Sequence, residues 1–425
     1  MTNARRLALC AALAAALTGA ALPATASAAQ AAPAAPGTEK VSVAPDGADG
    51  DHGSGVSGLS ANGRYVAFRS QAANLVAGDT NGTTDAFVRD LGTGVTSRVS
   101  TAADGSQGDG DVEDVSLSAD GRHVAFSSTA TNLVPGDTGG RSHVYVKDLR
   151  TGAVERLDDE QAPGYDTGRQ PAISADGRYV AFAASRSEGS SDHDQHARVY
   201  RVDRRTGTAV RVSQAPDPGR WRSVTNLSIS ADGTRVGYQF FVPFPTSGDW
   251  SDVYVRDVPG GELWQADKAP DGAVPDAQSE YPTVSADGRY VLFRSLDSKL
   301  TPGDTNNGQN MFIRDLETGS IRRIDAADPA ASTVSGALSA DNRHLVFGSV
   351  DPGDPNHTQR VYVRDLRTGA TRLASVDTAG GANDESATGP VIDARGRSVA
   401  FDSYSADLVP GDTWDSRHVF VRHLR

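Results

Sequence analysis

One ten-residue box, Ile173-Ser-Ala-Asp-Gly-Arg-Tyr-Val-Ala-Phe182, is written seven times in this chain and confines it to a repeat architecture. Copies begin at Leu59, Leu117, Ile173, Ile229, Val284, Leu338 and Ile392, 54 to 58 residues apart. Self-similarity at such a period means stacked supersecondary units rather than one irregular core. Each copy has the same grammar. An apolar residue and Ser end one strand, Ala-Asp-Gly turns the chain, and an apolar run opens the next strand.

Each repeat reads as four short strands. In the second repeat these are Asp114–Ser118, His123–Ser128, His143–Leu149 and Val154–Leu157, the last two joined by the turn Arg150-Thr151-Gly152. The third strand and its turn recur as AFVRDLGTG, VYRVDRRTG, VYVRDVPGG, MFIRDLETG and VYVRDLRTG. No segment carries helical spacing over 10–12 residues. Four antiparallel strands per unit, repeated about an axis, predict an all-β chain and specifically a β-propeller. The aromatic that ends each apolar run (Phe68, Phe126, Phe182, Tyr238, Phe293, Phe347, Phe401) is assigned to packing between blades.

The ends set the blade number. The last repeat stops after its third strand, at Val419–Arg425, while Lys40-Val-Ser-Val-Ala44 matches the fourth-strand sequence Arg98-Val-Ser-Thr-Ala102. The N-terminal strand is therefore expected to complete the last blade, giving seven blades with no open edge between first and last. The box, with V-Y-V-R-D-L-x-T-G downstream, resembles the PD40 (WD40-like) repeats of TolB-like propellers over residues 39–425. That resemblance implies a propeller used as a protein-interaction platform or as a substrate gate for peptidases. TolB itself has six blades and an additional α/β domain, so its envelope role is not carried over.

Residues 1–28 read as a secretory signal peptide. Arg5 and Arg6 precede the apolar run Leu7–Leu22, and Ala26-Ser27-Ala28 is a small-residue cleavage site. Residues 29–38 read as a flexible linker, and 39–425 as the propeller. The one cysteine, Cys10, lies in the leader, so the exported domain is expected to be held by burial alone. A net charge of −13, made more negative by loss of the leader, argues against nucleic acid and against membrane insertion or anionic surfaces. A secreted monomer is expected.

Catalytic signatures such as G-x-S-x-G or H-E-x-x-H are missing. Loop lengths point to one face instead: the first–second and third–fourth turns are short, and every long connection emerges at the opposite end. That crown is acidic, and Asp109, Asp111, Glu113, Asp276 and Glu280, with Trp250, are its candidate binding residues. Calcium is considered for the loops bearing NLVAGDT and its relatives, with Asp79, Asn81 and Asp85 in the first repeat and Asp304, Asn306 and Asn310 in the fifth. Alternate oxygen-bearing residues around a Gly suit convergence on Ca²⁺; the competing reading is an Asp accepting backbone N–H bonds in a turn. Asp192-His193-Asp194-Gln195-His196 is read as a solvated loop rather than a metal site. The expected function is a non-catalytic module binding a protein or a cell-wall carbohydrate. The alternatives are a carbohydrate-active hydrolase or lyase using crown carboxylates, and a structural extracellular protein.

Overall fold

The computed structural model describes residues 37–424 apart from 137, 159–164, 186–196, 215–222, 243–249, 273–276, 303, 305–307, 327, 329 and 413–415, and apart from the side chains of Val242 and Trp250. Its described strands form seven four-stranded antiparallel sheets. Blade one runs Ser54–Leu59, Tyr65–Ser70, Asp85–Asp90 and Val95–Arg98 from the inside outward. Blades two to six repeat that order. Blade seven takes its outermost strand from the N-terminal side: Gly37–Lys40 pairs antiparallel with His418–His423. Pairing thus begins at Gly37, ahead of the expected Lys40, because the ladder precedes the Lys-Val-Ser segment just as Val95–Arg98 precedes Val-Ser-Thr. Beyond the ladder, the Val41 amide donates to the Val419 carbonyl at 2.7 Å and the Val41 side chain is fully buried.

Inside each blade the second and third strands place two aromatic rings directly opposite one another. Phe68–Phe87, Phe126–Tyr145, Phe293–Phe312 and Phe401–Phe420 stack with centroids 5.5, 5.6, 5.7 and 6.0 Å apart. All eight rings are fully buried. Such cross-strand pairs add about 0.5–1.5 kcal/mol each beyond their area. The aromatic stripe is core.

The repeated box is a lock on the short-turn face. The Ser118 hydroxyl donates to Asp120 Oδ1 and accepts the His123 amide at 2.9 Å, while Asp120 Oδ1 accepts the Arg122 amide at 2.9 Å. The box arginine then reaches the Asp of the R-D-L strand: Arg64–Asp90, Arg178–Asp203 and Arg289–Asp315 each close at 2.7 Å through forked contacts. Adjacent blades are joined there by backbone bonds, including Ala61 N–H to Ala119 O (2.8 Å), Ala231 N–H to Ala286 O (2.8 Å) and Ala394 N–H to Ala61 O (3.1 Å). The last of these crosses from blade seven to blade one.

The box glycine has two jobs. Gly121 sits at φ +72°, and a Cβ there would lie 2.3 Å from Cδ2 of Tyr65 in the preceding blade. Gly152, in the third–fourth turn, has a similar φ of +77° but open space around it. Gly121→Ala is therefore expected to cost roughly 2–4 kcal/mol, backbone strain plus overpacking, against about 1 for Gly152→Ala. Urea midpoints of the two variants check this; equal midpoints would contradict the blade-to-blade packing.

Candidate functional site: the crown mouth

The long connections, such as 71–84 and 99–111 in blade one, emerge opposite the box turns. Their recurring N-L-V-x-G-D-T sequence is explained position by position. Asn132 Nδ2 donates to the Gln107 carbonyl at 2.8 Å, and its Oδ1 accepts the Asp109 amide at 3.2 Å. Leu75, Leu133, Leu300 and Leu408 are buried beneath the loops. The Asp of G-D-T meets a cation carried by the chain itself. Arg98 Nη1 lies 3.0 Å from Asp79 Oδ1 and 3.3 Å from Asp85 Oδ2, and also donates to Gln107 Oε1 at 2.9 Å. Arg323 Nη1 meets Asp304 Oδ1 at 2.6 Å in blade five. In blade seven Lys40 Nζ bonds both Asp49 (2.6 Å) and Asp412.

The oxygens considered for calcium are thus gathered around a guanidinium. Asn81 and Asn310 moreover aim Nδ2 donors, not carbonyl oxygens, at Asp85 and Asp304. An amide presented this way supports an anion rather than a metal ion. Asn306 lies outside the described residues. Asp49, Asp412 and His418 have potential ligand atoms within 4.8 Å of one another, but Lys40 is bonded to both carboxylates. Burial raises the Asp79 carboxyl, with Arg98 opposing it.

The candidate binding residues separate into two groups. Asp109 and Asp111 tie loops together: Asp109 accepts the Thr131 amide at 2.6 Å and Asp111 the Thr84 amide at 2.7 Å. Glu113 and Glu280 occupy the same repeat position, near the crown end of the innermost strands of blades two and five. Asp276 lies outside the described residues, as do His193, His196, Trp221 and Trp414. Trp250 begins the third strand of blade four, Trp250–Asp257, and its side chain is not described.

Around Glu113 and Glu280 the inner strands depart from regular β geometry. Gln170, Asn226 and Tyr281 have φ of 53°, 52° and 55°, each at a register shift in its strand. Gly389 takes the same place in blade seven at φ 61°. Non-glycine residues held left-handed cost of order 1–3 kcal/mol each and concentrate at functional sites, as do bulges. Side chains brace these bulges across blades. Asp402 Oδ2 accepts the Val56 amide (3.0 Å), Glu113 Oε2 meets Arg169 Nε (3.3 Å), and Gln170 Oε1 accepts the Asn226 amide (2.9 Å). Burial pushes the Asp402 carboxyl up while Arg417 opposes it. Glu280 is paired with Arg294, whose guanidinium lies 4.6 Å from the centroid of the Tyr281 ring.

Five large hydrophobic residues are exposed among those described, and three sit on this mouth: Tyr281 (51%), Leu296 (39%) and Tyr404 (57%). The result is a polar belt of braced bulges, with Tyr281 and Leu296 exposed on blade five and Tyr404 exposed on blade seven. Charge marks Glu113 and Glu280 in the sequence, whereas Gln170, Asn226 and Tyr281 at the adjoining bulges carry no such mark. Their only sequence sign is that Pro or Leu follows each.

Solved structures share this backbone at low sequence identity. An oligogalacturonate lyase in complex with manganese is 15% identical, with a TM-score of 0.59 over 92% of this chain and 95% of that one. The oligogalacturonate lyase of Vibrio parahaemolyticus is 13% identical, with a TM-score of 0.58 over 93% and 99%. The β-propeller domain of the Trilobed protease of Pyrococcus furiosus, with its open velcro topology, is 12% identical at a TM-score of 0.54 over 87% and 95%. The shared feature is the fold. No family model and no curated protein matches the sequence. Where the Pyrococcus domain is open, the present ring is closed by Gly37–Lys40.

Proposed function

We propose that this chain is a ligand-binding β-propeller of the TolB-like PD40 kind, taking a protein segment or a cell-wall glycan at the crown mouth. One observation carries the reading. Tyr281 is half exposed, held left-handed in a bulge, with Arg294 against its ring. An exposed aromatic on a strained, braced backbone is a preorganised stacking surface for a sugar ring or a peptide side chain. The carboxylates at this position of blades two and five are engaged, Glu113 with Ser142 and Arg169, Glu280 with Arg294. The proposal includes export, after cleavage of the leader at 1–28.

The test is a glycan array and a peptide library probed with the domain, followed by Tyr281→Ala. Loss of a truncated aromatic contact is expected to weaken the selected ligand by about 1–2 kcal/mol, a five- to thirtyfold rise in Kd. Thr151→Ala, on the opposite face, should leave it unchanged. Unaltered affinity in Tyr281→Ala would remove the mouth as the site. Turnover of a polysaccharide would favour the hydrolase or lyase alternative.

A further inference from the structure

Where the crossing from blade six packs on the long loop of blade seven, the repeat gives up an amide and gains a charge. The residue before Leu in N-L-V-x-G-D-T is Asn74 in blade one, Asn132 in blade two and Lys299 in blade five, but Asp407 in blade seven. In blades one and two this Asn bridges two loops. Its Nδ2 donates to a carbonyl of the crossing, Asp49 O or Gln107 O, at 2.8 Å, and its Oδ1 accepts the amide of Asp51 (3.0 Å) or Asp109 (3.2 Å). Blade seven keeps that backbone, since Val376 bridges Ala382 as Val43 bridges Asp49 and Thr101 bridges Gln107. At the Ala382 carbonyl the NH2 donor has therefore become a carboxylate, and no described donor takes its place.

The other polar atoms of this corner are acceptors too. Asp384, the counterpart of Asp51 and Asp109, and Asp407 Oδ1 (2.5 Å) both contact the hydroxyl of Ser405. A hydroxyl has one proton, so one of the two carboxylates is left facing an oxygen lone pair. Asn383 stands where blades one and two have Gly50 and Gly108. A Cβ at those glycines lies 3.4 and 3.5 Å from the Cβ of Ala72 and Ala130, the counterparts of Ser405, so the Asn383 side chain starts against Ser405. Asn383 is 1% exposed, its Nδ2 is spent on the Glu385 and Gln359 carbonyls, and its Oδ1 is buried without a partner. Burial raises the Asp407 carboxyl, and the Asp384 and Asp377 charges add to that against the Ser405 hydrogen bond. Asp79, Asp304 and Asp412 each meet a cationic side chain; among the described residues none pairs with Asp377, Asp384 or Asp407. Asp384 is exposed, so the corner is open to solvent.

We infer that this corner binds a divalent cation, Ca²⁺, through Asp384, Asp407, Asn383 Oδ1 and the Ala382 carbonyl, with water completing the shell. Ca²⁺ accepts about six to eight oxygens of this mixed kind in flexible geometry, whereas Mg²⁺ demands a tight octahedron. Zinc and its neighbours favour imidazole or thiolate, which this set lacks. The ion does here what the Asn bridge does in blades one and two, tying the crossing to the loop that follows Tyr404. The site does not depend on what the crown mouth binds.

The repeat supplies the test. Asp407→Asn and Asn383→Gly each restore the residue that blades one and two use, so both variants should fold. The metal-stripped protein is titrated calorimetrically and melted in chelator, in Ca²⁺ and in Mg²⁺, each ion on the order of 10 mM against an expected Kd of about 0.1–1 mM. The wild type is expected to bind Ca²⁺ and to melt higher in Ca²⁺ than in Mg²⁺. Asp407→Asn should abolish that difference, and Asn383→Gly should raise the Kd for Ca²⁺ roughly tenfold through loss of a ligand. No preference for Ca²⁺ over Mg²⁺ in the wild type, or a Ca²⁺ response of equal size in all three proteins, would overturn the site.

Discussion

A chain that begins at Asp46 is expected to unfold at far lower denaturant concentration than one that begins at Ala29. The shorter chain lacks the whole ladder between Gly37–Lys40 and His418–His423. It also lacks Val41, whose fully buried side chain contributes about 1.5–3 kcal/mol. Removing Lys40 takes one partner from a buried ion pair with Asp412, whose side chain is almost wholly buried, a loss of about 3–5 kcal/mol. Ser42 takes with it the contact of its hydroxyl with His418 Nδ1 at 3.2 Å. Even if these effects overlap, they compete with the whole stability of a domain, commonly about 5–15 kcal/mol. The last blade would present a bare edge, and aggregation is the expected accompaniment. Equilibrium urea unfolding of the two chains checks the claim, and coincident midpoints would show that the ring does not depend on its N-terminal strand.

The second large effect is a pH dependence centred on blade four. Asp267 occupies the position held by Ser100 in blade one and is fully buried. Its Oδ2 accepts the Val253 amide at 3.3 Å, while Oδ1 has no hydrogen-bond partner. Burial, and then the nearby Asp252 carboxylate, pushes the Asp267 carboxyl well above the usual range. In blade two the corresponding pair is complementary, His143 Nδ1 lying 3.0 Å from Asp158. The folded protein therefore keeps a proton that the unfolded chain releases near pH 4. Stability must fall as pH rises above that value, and the fall continues until the folded carboxyl gives up its proton. One proton difference sets a slope of at most about 1.4 kcal/mol per pH unit. Asp267→Asn, which mimics the protonated acid, should flatten this dependence and be more stable than the wild type at alkaline pH. Parallel stability profiles between pH 5 and pH 9 would contradict it.

The parts legible in the sequence were those whose chemistry is local and repeated. The S-A-D-G-R box announced its turn because Ser, Asp and Gly act within five residues of one another. Ring closure was legible because Lys40-Val-Ser repeats Arg98-Val-Ser while the last repeat lacks a fourth strand. What the box arginine does was harder to see, since Arg122 meets Asp148 across 26 residues, although both motifs recur together. In the G-D-T loops the oxygens that would suit a metal stand together in sequence, whereas the cation packed against them comes from the fourth strand. Arg98, Arg323 and Lys40 recur in blades that carry G-D-T, a correlation visible in the repeats once sought. The crown mouth was nearly silent. Gln170, Asn226 and Tyr281 are not glycines, so nothing local marks their left-handed backbone, which is imposed by inter-blade bonds such as Gln170 to Asn226. Asp109 and Asp111 stood out by charge alone and proved to cap neighbouring loops.

Hydrogen exchange of the free and ligand-saturated domain tests the central claim most directly, using a ligand selected from the glycan array or peptide library. The account predicts protection at the inner-strand bulges around 168–172, 224–228 and 279–283, and in the crown loop after Ser403, with the box turns unchanged. Protection confined to box turns such as 118–122 and 285–289, with the bulges unaffected, would contradict it.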